Sequence, residues 1–198
     1  DNGVREDSSL EQLSKLKPAF VKPHGTLTAG NSTFLSDGAS ATLILEEQYA
    51  ASLNITPKAY LRDYLFVAQD PGEQLLLGPA YATPKLLDRA GLSLDDIDVF
   101  EFHEAFAGQI LAVLKALKSE TFARQQLNRD KPVGEVPMDK FNLWGGSLSL
   151  GHPFGATGAR LVTTAANRLH AESGKFALVA ACAAGGQGYA MLLETYPA

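Results

Sequence analysis

Phe176-Ala-Leu-Val-Ala-Ala-Cys182-Ala-Ala-Gly185-Gly186-Gln187-Gly188-Tyr189-Ala-Met-Leu-Leu-Glu194 is the stretch that decides the fold. From Phe176 to Ala181 every residue is apolar, the pattern of a strand buried on both faces. Gly185 to Gly188 reads as a turn, and Tyr189 to Glu194 as a strand returning beside the first. Just upstream, Gly155 to His170 places Ala159, Val162, Ala166 and Leu169 on one stripe at helical spacing. A helix feeding a buried strand that then turns back is an α/β unit with a mixed sheet.

The remaining chain continues this alternation. Ile97 to Phe102 alternates apolar and acidic residues, as a half-exposed strand does, and a helix follows from Ala105 to Leu117. Thr83-Pro84 reads as an N-cap with proline at the first helical position, and Gly91 as the C-terminal cap of a helix over Pro84 to Ala90. Lys58 to Ala68 favours a strand, Glu46 to Leu53 a helix, and Ala41 to Leu45 a buried strand. Ser8 and Glu11 have capping-box spacing, which predicts a short helix through Leu16. Pro18, Pro23, Gly25 and Gly30 then break regular structure, and residues 119 to 140 read as a polar surface excursion.

The 198 residues are enough for a real core, and their composition is that of a globular protein. A net charge of −5 argues against nucleic acid as a partner. One cysteine makes no internal disulfide, and no apolar run reaches the roughly 20 residues of a membrane helix. The chain starts at Asp1 without a signal pattern and reads as a piece whose true start is missing.

Three segments carry candidate chemistry. In open α/β sheets ligands gather at the carboxyl ends of strands, where His103 and Cys182 fall, while His152 opens a helix between Gly151 and Gly155. Cys182 reads either as a small buried hydrophobe or as a proton carrier beside glycines whose backbone N–H groups serve an oxyanion. His152 is either structural or a neutral imidazole at the positive end of a helix, suited to moving one proton. His103 either caps the next helix, with Glu104 a solvated acid, or joins the site. A zinc-protease pattern fails because Ala107 stands four residues beyond His103, and no short ligand pair supports a metal. Gly155 and Gly158 lack the context of a dinucleotide or P-loop fingerprint. His24, His170 and Trp144 read as surface or packing residues.

Lys17-Pro18-Ala19-Phe20, Gly25 to Asn31, Asp37-Gly38-Ala39, His103-Glu104-Ala105-Phe106, Gly145-Gly146, Gly151-His152-Pro153 and Cys182 through Gly188 occur together and in order. In these motifs the chain resembles the C-terminal part of thiolases, most closely the 3-ketoacyl-CoA thiolases that form the β subunit of trifunctional fatty-acid-oxidation complexes. The resemblance covers nearly the whole chain. It implies a thiolase-like layered αβαβα fold, with residues 1–36 as the end of the CoA-covering loop domain and 37–198 as the C-terminal thiolase domain.

The resemblance also implies thiolytic cleavage of 3-ketoacyl-CoA by CoA, with coenzyme A as substrate and no permanently bound cofactor. Cys182 matches the acid/base cysteine, not the acylated nucleophile, which belongs to an N-terminal half; this chain alone is therefore expected to be inactive. His152 matches the histidine that activates that nucleophile and helps bind the thioester oxygen. His103 stands where many thiolases have asparagine, and Ala184 where glycine is common, with Gly185 beside it as a backbone donor to the oxyanion. Phe20, Asn31, Thr33, Ala105 and Phe106 are the implied CoA-lining residues. Expected partners are the N-terminal thiolase half, a second copy, and a hydratase/dehydrogenase α subunit, through which any membrane association would come. The implied compartment is mitochondrial or bacterial cytoplasmic. A biosynthetic acetoacetyl-CoA thiolase and a non-catalytic CoA-binding module are the alternatives.

Overall fold

A computed structural model describes residues 5–197; the first four residues of the 1–36 segment and Ala198 lie outside the described residues. The chain enters through a short helix, α1 (Leu10–Ser14), then a long irregular stretch to α2 (Glu47–Ser52). Next come β1 (Ala59–Ala68), α3 (Pro71–Gln74), α4 (Gly78–Ala90), β2 (Val99–Phe102), α5 (Ala107–Leu117) and α6 (Glu120–Gln126). The last elements are α7 (Ser147–Leu150), α8 (Phe154–Glu172), β3 (Phe176–Ala183) and β4 (Gln187–Thr195).

Among the described residues these strands form one mixed sheet in the order β1-β4-β3-β2. β2 and β3 are parallel, with Val99 opposite Ala177 and Phe102 opposite Ala180, while β4 is antiparallel to both β3 and β1. Alternation along β3 splits the core. Leu178 and Ala180 pack with Leu86 and Leu87 of α4 and Val113 and Leu117 of α5. Ala177 and Val179 pack with Leu161, Ala165 and Leu169 of α8 on the opposite face. The result is helix–sheet–helix layering, and it explains why Phe176 to Ala181 is apolar at every position.

The mixed sheet and the closing hairpin match the sequence reading. Several local expectations do not survive. Helix α1 is capped by Ser9, whose hydroxyl accepts from the Gln12 N–H at 3.2 Å, and not by Ser8. Thr83 and Pro84 do not start a helix; α4 begins well upstream, at Gly78, and runs through Pro84, ending as expected at left-handed Gly91. The core stripe of α8 is Leu161, Ala165, Arg168 and Leu169, whereas Ala159, Val162 and Ala166 are only partly buried. The excursion at 119–140 contains α6 and buries Ala123 and Val136.

Two differences have a clear physical origin. β2 is buried throughout, because Glu101 is not solvated but ion-paired at 2.8 Å with Arg168, both side chains having no exposure. Ala41 to Leu45 forms no strand: among the described residues nothing pairs with it, and Leu43 and Ile44 are 71% and 67% exposed. A strand is stabilised by its ladder and its covered face, and this segment has neither.

Candidate active site

The parallel pair β2 and β3 ends at one sheet edge, and the candidate groups assemble there. His103 follows β2 directly; its N–H donates to Ala180 O at 2.8 Å, two residues before Cys182. Asn142 clamps the strand end from outside the sheet. Its Oδ1 accepts from the Phe102 N–H (2.8 Å), and its amide donates to Phe102 O (2.9 Å) and Glu104 Oε1 (2.6 Å).

Glu104 is therefore an anchor, not the solvated acid the sequence suggested. Its Oε2 accepts the Leu148 N–H at 3.1 Å, and its carboxyl fills the space a Cβ on Gly146 would need. Nor does His103 cap α5, whose N-cap is Phe106. The ring turns to α7 instead, with Nδ1 3.0 Å from Ser147 Oγ.

His152 reaches the same place from the other side. Gly151 adopts φ +89°, and a Cβ there would lie 2.6 Å from Ser36 Cβ, so the turn from α7 into α8 accepts only glycine. The His152 N–H donates to Phe34 O at 3.0 Å, and its ring meets His103 at 4.1 Å between centroids. Phe154 covers it from the solvent side at 4.5 Å. The His152 Nδ1 lies 2.7 Å from Thr157 Oγ1, whose own hydroxyl hydrogen goes to Pro153 O at 3.2 Å. Thr157 has thus spent its one hydrogen, so Nδ1 is the donor and Nε2 keeps a free lone pair.

Electrostatics keep all three groups neutral near pH 7. Burial, reinforced by His152 and the Arg160 guanidinium, pushes the His103 imidazole down to about 4. Partial burial and then Arg160 lower His152. Burial raises the Cys182 thiol to about 11. Cys182 is 6% exposed at the end of β3, opposite Gly188 in the hairpin.

The remaining candidates divide. Residues 31 to 34 lie alongside 105 to 107: the Thr33 N–H donates to Ala105 O (3.0 Å), the Ala107 N–H to Asn31 O (2.9 Å), and Ser32 bridges Phe106. Asn31 uses its side chain within its own loop, accepting from the Thr28 N–H and donating to Thr26 O, both at 2.8 Å. Thr33 donates to Ser147 O at 2.8 Å. Phe20 belongs to a separate, exposed loop closed by the Ala19 N–H to Leu27 O bond. Ala184 and Gly185 sit exposed in the turn between β3 and β4, with Gly185 at φ +87°. Trp144 is 49% exposed rather than packed.

Sequence reasoning missed Ser147, Thr157 and Arg160, the polar groups that touch or polarise the two imidazoles. Their signal was positional: Ser147 follows the Gly145-Gly146 pair, and Thr157 and Arg160 lie one and two turns into the helix His152 opens. Among the described residues no group of three or more His, Cys, Asp or Glu side chains is arranged to hold a metal ion.

Two imidazoles in contact and a buried thiol stand near the carboxyl ends of the parallel strands, on an α/β scaffold. The chain belongs to the thiolase family: residues 55–195 match the model described as thiolase, C-terminal domain, and residues 1–48 the model for the thiolase N-terminal domain. It is 65% identical over 197 residues to the mitochondrial trifunctional enzyme subunit beta of Mus musculus, and spans 41% of that relative's length. Human mitochondrial 3-ketoacyl-CoA thiolase in complex with CoA superposes with a TM-score of 0.79 at 36% identity, covering 98% of this chain and 44% of that one. The dimeric peroxisomal thiolase of Saccharomyces cerevisiae gives 0.82 at 35% identity, with the same coverage. The fold is thiolase-like.

Proposed function

We propose that this chain supplies the acid/base and oxyanion-binding half of a 3-ketoacyl-CoA thiolase. The observation that carries the reading is the contact between His103 and His152 at the strand edge where the buried thiol of Cys182 ends β3. Residues 1–36 act as the end of the CoA-covering loop domain and 37–198 as the C-terminal thiolase domain. An N-terminal half contributes the acylated cysteine, since Cys182, the single cysteine of the sequence, has the wrong character for that role. A thiol held near 11 is a poor resident nucleophile at neutral pH and a competent proton donor.

The chemistry follows from the protonation states. The His152 Nε2 lone pair accepts the proton of the nucleophilic thiol. The resulting thiolate attacks the 3-keto carbon, the bond between C2 and C3 breaks, and the electron pair passes to the acetyl-CoA enolate. The Cys182 Sγ–H protonates that enolate at C2. In the second half the Cys182 thiolate takes the proton of incoming CoA, whose sulfur attacks the acyl-enzyme. The shortened acyl-CoA is released, and the departing nucleophilic thiolate takes back the proton held on His152 Nε2. His103, with backbone donors at Ala184 and Gly185, binds developing oxyanions. CoA lies along Phe20, Asn31, Thr33, Ala105 and Phe106.

A relative named as a trifunctional enzyme subunit and a structural neighbour described as dimeric support assembly with a second copy and with an α subunit of hydratase/dehydrogenase type. The mitochondrial name of the 65% identical mouse relative favours the mitochondrion over a bacterial cytoplasm.

The test is Cys182→Ala in the complete enzyme, assayed with 3-ketoacyl-CoA substrates. Turnover falls by about 10²–10⁴-fold, the range for loss of a general acid/base. The 198-residue chain alone shows no thiolysis. Unchanged turnover of the variant, or robust turnover by the isolated chain, would sink the assignment.

A further inference from the structure

Ser147 sits with no exposure between two groups of opposite need. Its Oγ lies 3.0 Å from His103 Nδ1 and accepts from Arg160 Nη2 at 3.2 Å. These are its hydrogen-bond neighbours among the described residues. A hydroxyl has one hydrogen and two lone pairs, and a guanidinium only donates. Arg160 therefore occupies a lone pair, and the Ser147 hydrogen has one acceptor available, the lone pair of His103 Nδ1. The reverse arrangement would leave a buried hydroxyl hydrogen unmatched.

We propose that Ser147, held by Arg160, is a positioning residue that fixes His103 as the neutral tautomer with its hydrogen on Nε2. Thr157 imposes the opposite tautomer on His152, whose hydrogen is on Nδ1. Two imidazoles 4.1 Å apart thus present different faces: His103 a donor and His152 an acceptor. Under the thiolase reading, on which this part rests, the Nε2–H of His103 binds the substrate's carbonyl oxygen in the role an amide side chain would fill. His152 stays free to take a thiol proton. The Arg160 charge opposes protonation of His103, so His103 keeps its donor role while His152 takes up and returns the thiol proton. Arg160 Nε and Nη1 are buried without partners among the described residues, which leaves its polarity directed at Ser147.

The experiment uses the complete enzyme labelled with ¹⁵N-histidine, the His103 signals being those absent from His103→Asn. The expected spectrum has a bare Nδ1 and a hydrogen-bearing Nε2 for His103; a hydrogen on Nδ1 overturns the proposal without any further variant. Ser147→Ala should shift both signals toward a tautomer mixture and lower kcat about tenfold, the kinetic equivalent of one hydrogen bond, with KM within about twofold. Ser147→Thr, which keeps the hydroxyl, restores most of kcat. Parent kcat in Ser147→Ala, or an equal loss in both variants, counts against the assignment. The two readings fail separately. An inactive enzyme with the expected spectrum sinks the thiolase function and leaves the tautomer lock, whereas an active enzyme with Nδ1–H sinks the lock alone.

Discussion

Helix α8 carries two arginines that live under different rules. Arg168, toward its C-terminal end, is saturated. It donates to Glu101 at 2.8 Å, to Glu172 at 2.8 and 3.0 Å, and to the carbonyls of Phe100 and Lys140 at 3.3 and 3.2 Å. Arg160, two turns earlier, makes one hydrogen bond among the described residues, to Ser147, and leaves two buried nitrogens without partners. The first arginine joins helix to sheet; the second faces the histidines and lowers both. Arg168 spends its hydrogen-bonding capacity on joining α8 to the sheet, whereas Arg160 keeps unused donors beside the two imidazoles.

The largest expected effect lies at the saturated end. Arg168→Met leaves the Glu101 carboxyl buried without its partner and should destabilise the 198-residue chain by about 3–5 kcal/mol in urea unfolding. Adding Glu101→Leu should recover most of that loss, because the apolar pair removes both desolvation costs. A loss below about 1 kcal/mol in Arg168→Met would show that this ion pair does not join the layers.

Next in size is the acid response of the site. His103 is held near 4 in the folded chain against about 6.5 unfolded, so between those values the unfolded state binds more protons. Stability is complete above about pH 6.5 and declines as pH falls toward 4, by about 3 kcal/mol in all for this group. His152, lowered as well, acts in the same direction. Urea midpoints measured across this window should flatten in His103→Asn. An equally steep decline in that variant would assign the acid response to other groups.

The smallest effect belongs to the open end of α8. Arg160→Met removes one bond to Ser147 together with the buried nitrogens that lack partners, and should change stability by no more than about 1 kcal/mol. A loss matching that of Arg168→Met would erase the distinction between the two arginines.

The sheet was legible because its signals are local. An unbroken apolar run from Phe176 to Ala181 reports burial on both faces, and a glycine-rich turn reports the reversal. Thr83-Pro84 misled because proline tolerated inside a helix carries the same dipeptide signal as proline that starts one. Glu101 misled because the guanidinium that makes its burial tolerable lies 67 residues away. In the candidate site, the sequence nominated His103, His152 and Cys182 from their glycine-flanked or strand-end settings, and the structure brings the two imidazoles into contact. Ser147, Thr157 and Arg160 were not, since a serine, a threonine and an arginine take on a role only through what lies within hydrogen-bonding distance.

By itself the sequence determined the alternation of elements, the mixed sheet and the three side chains that bear protons, because periodicity, turn chemistry and residue type are properties of short stretches. Only the tertiary structure decided that His103 and His152 touch, that Glu104 anchors α7 and that Ala41 to Leu45 stands unpaired. It also decided which nitrogen of each imidazole carries a hydrogen. That choice is set by single donors and acceptors brought together across 44 and 5 residues of chain, and a hydrogen bond depends on their separation in space.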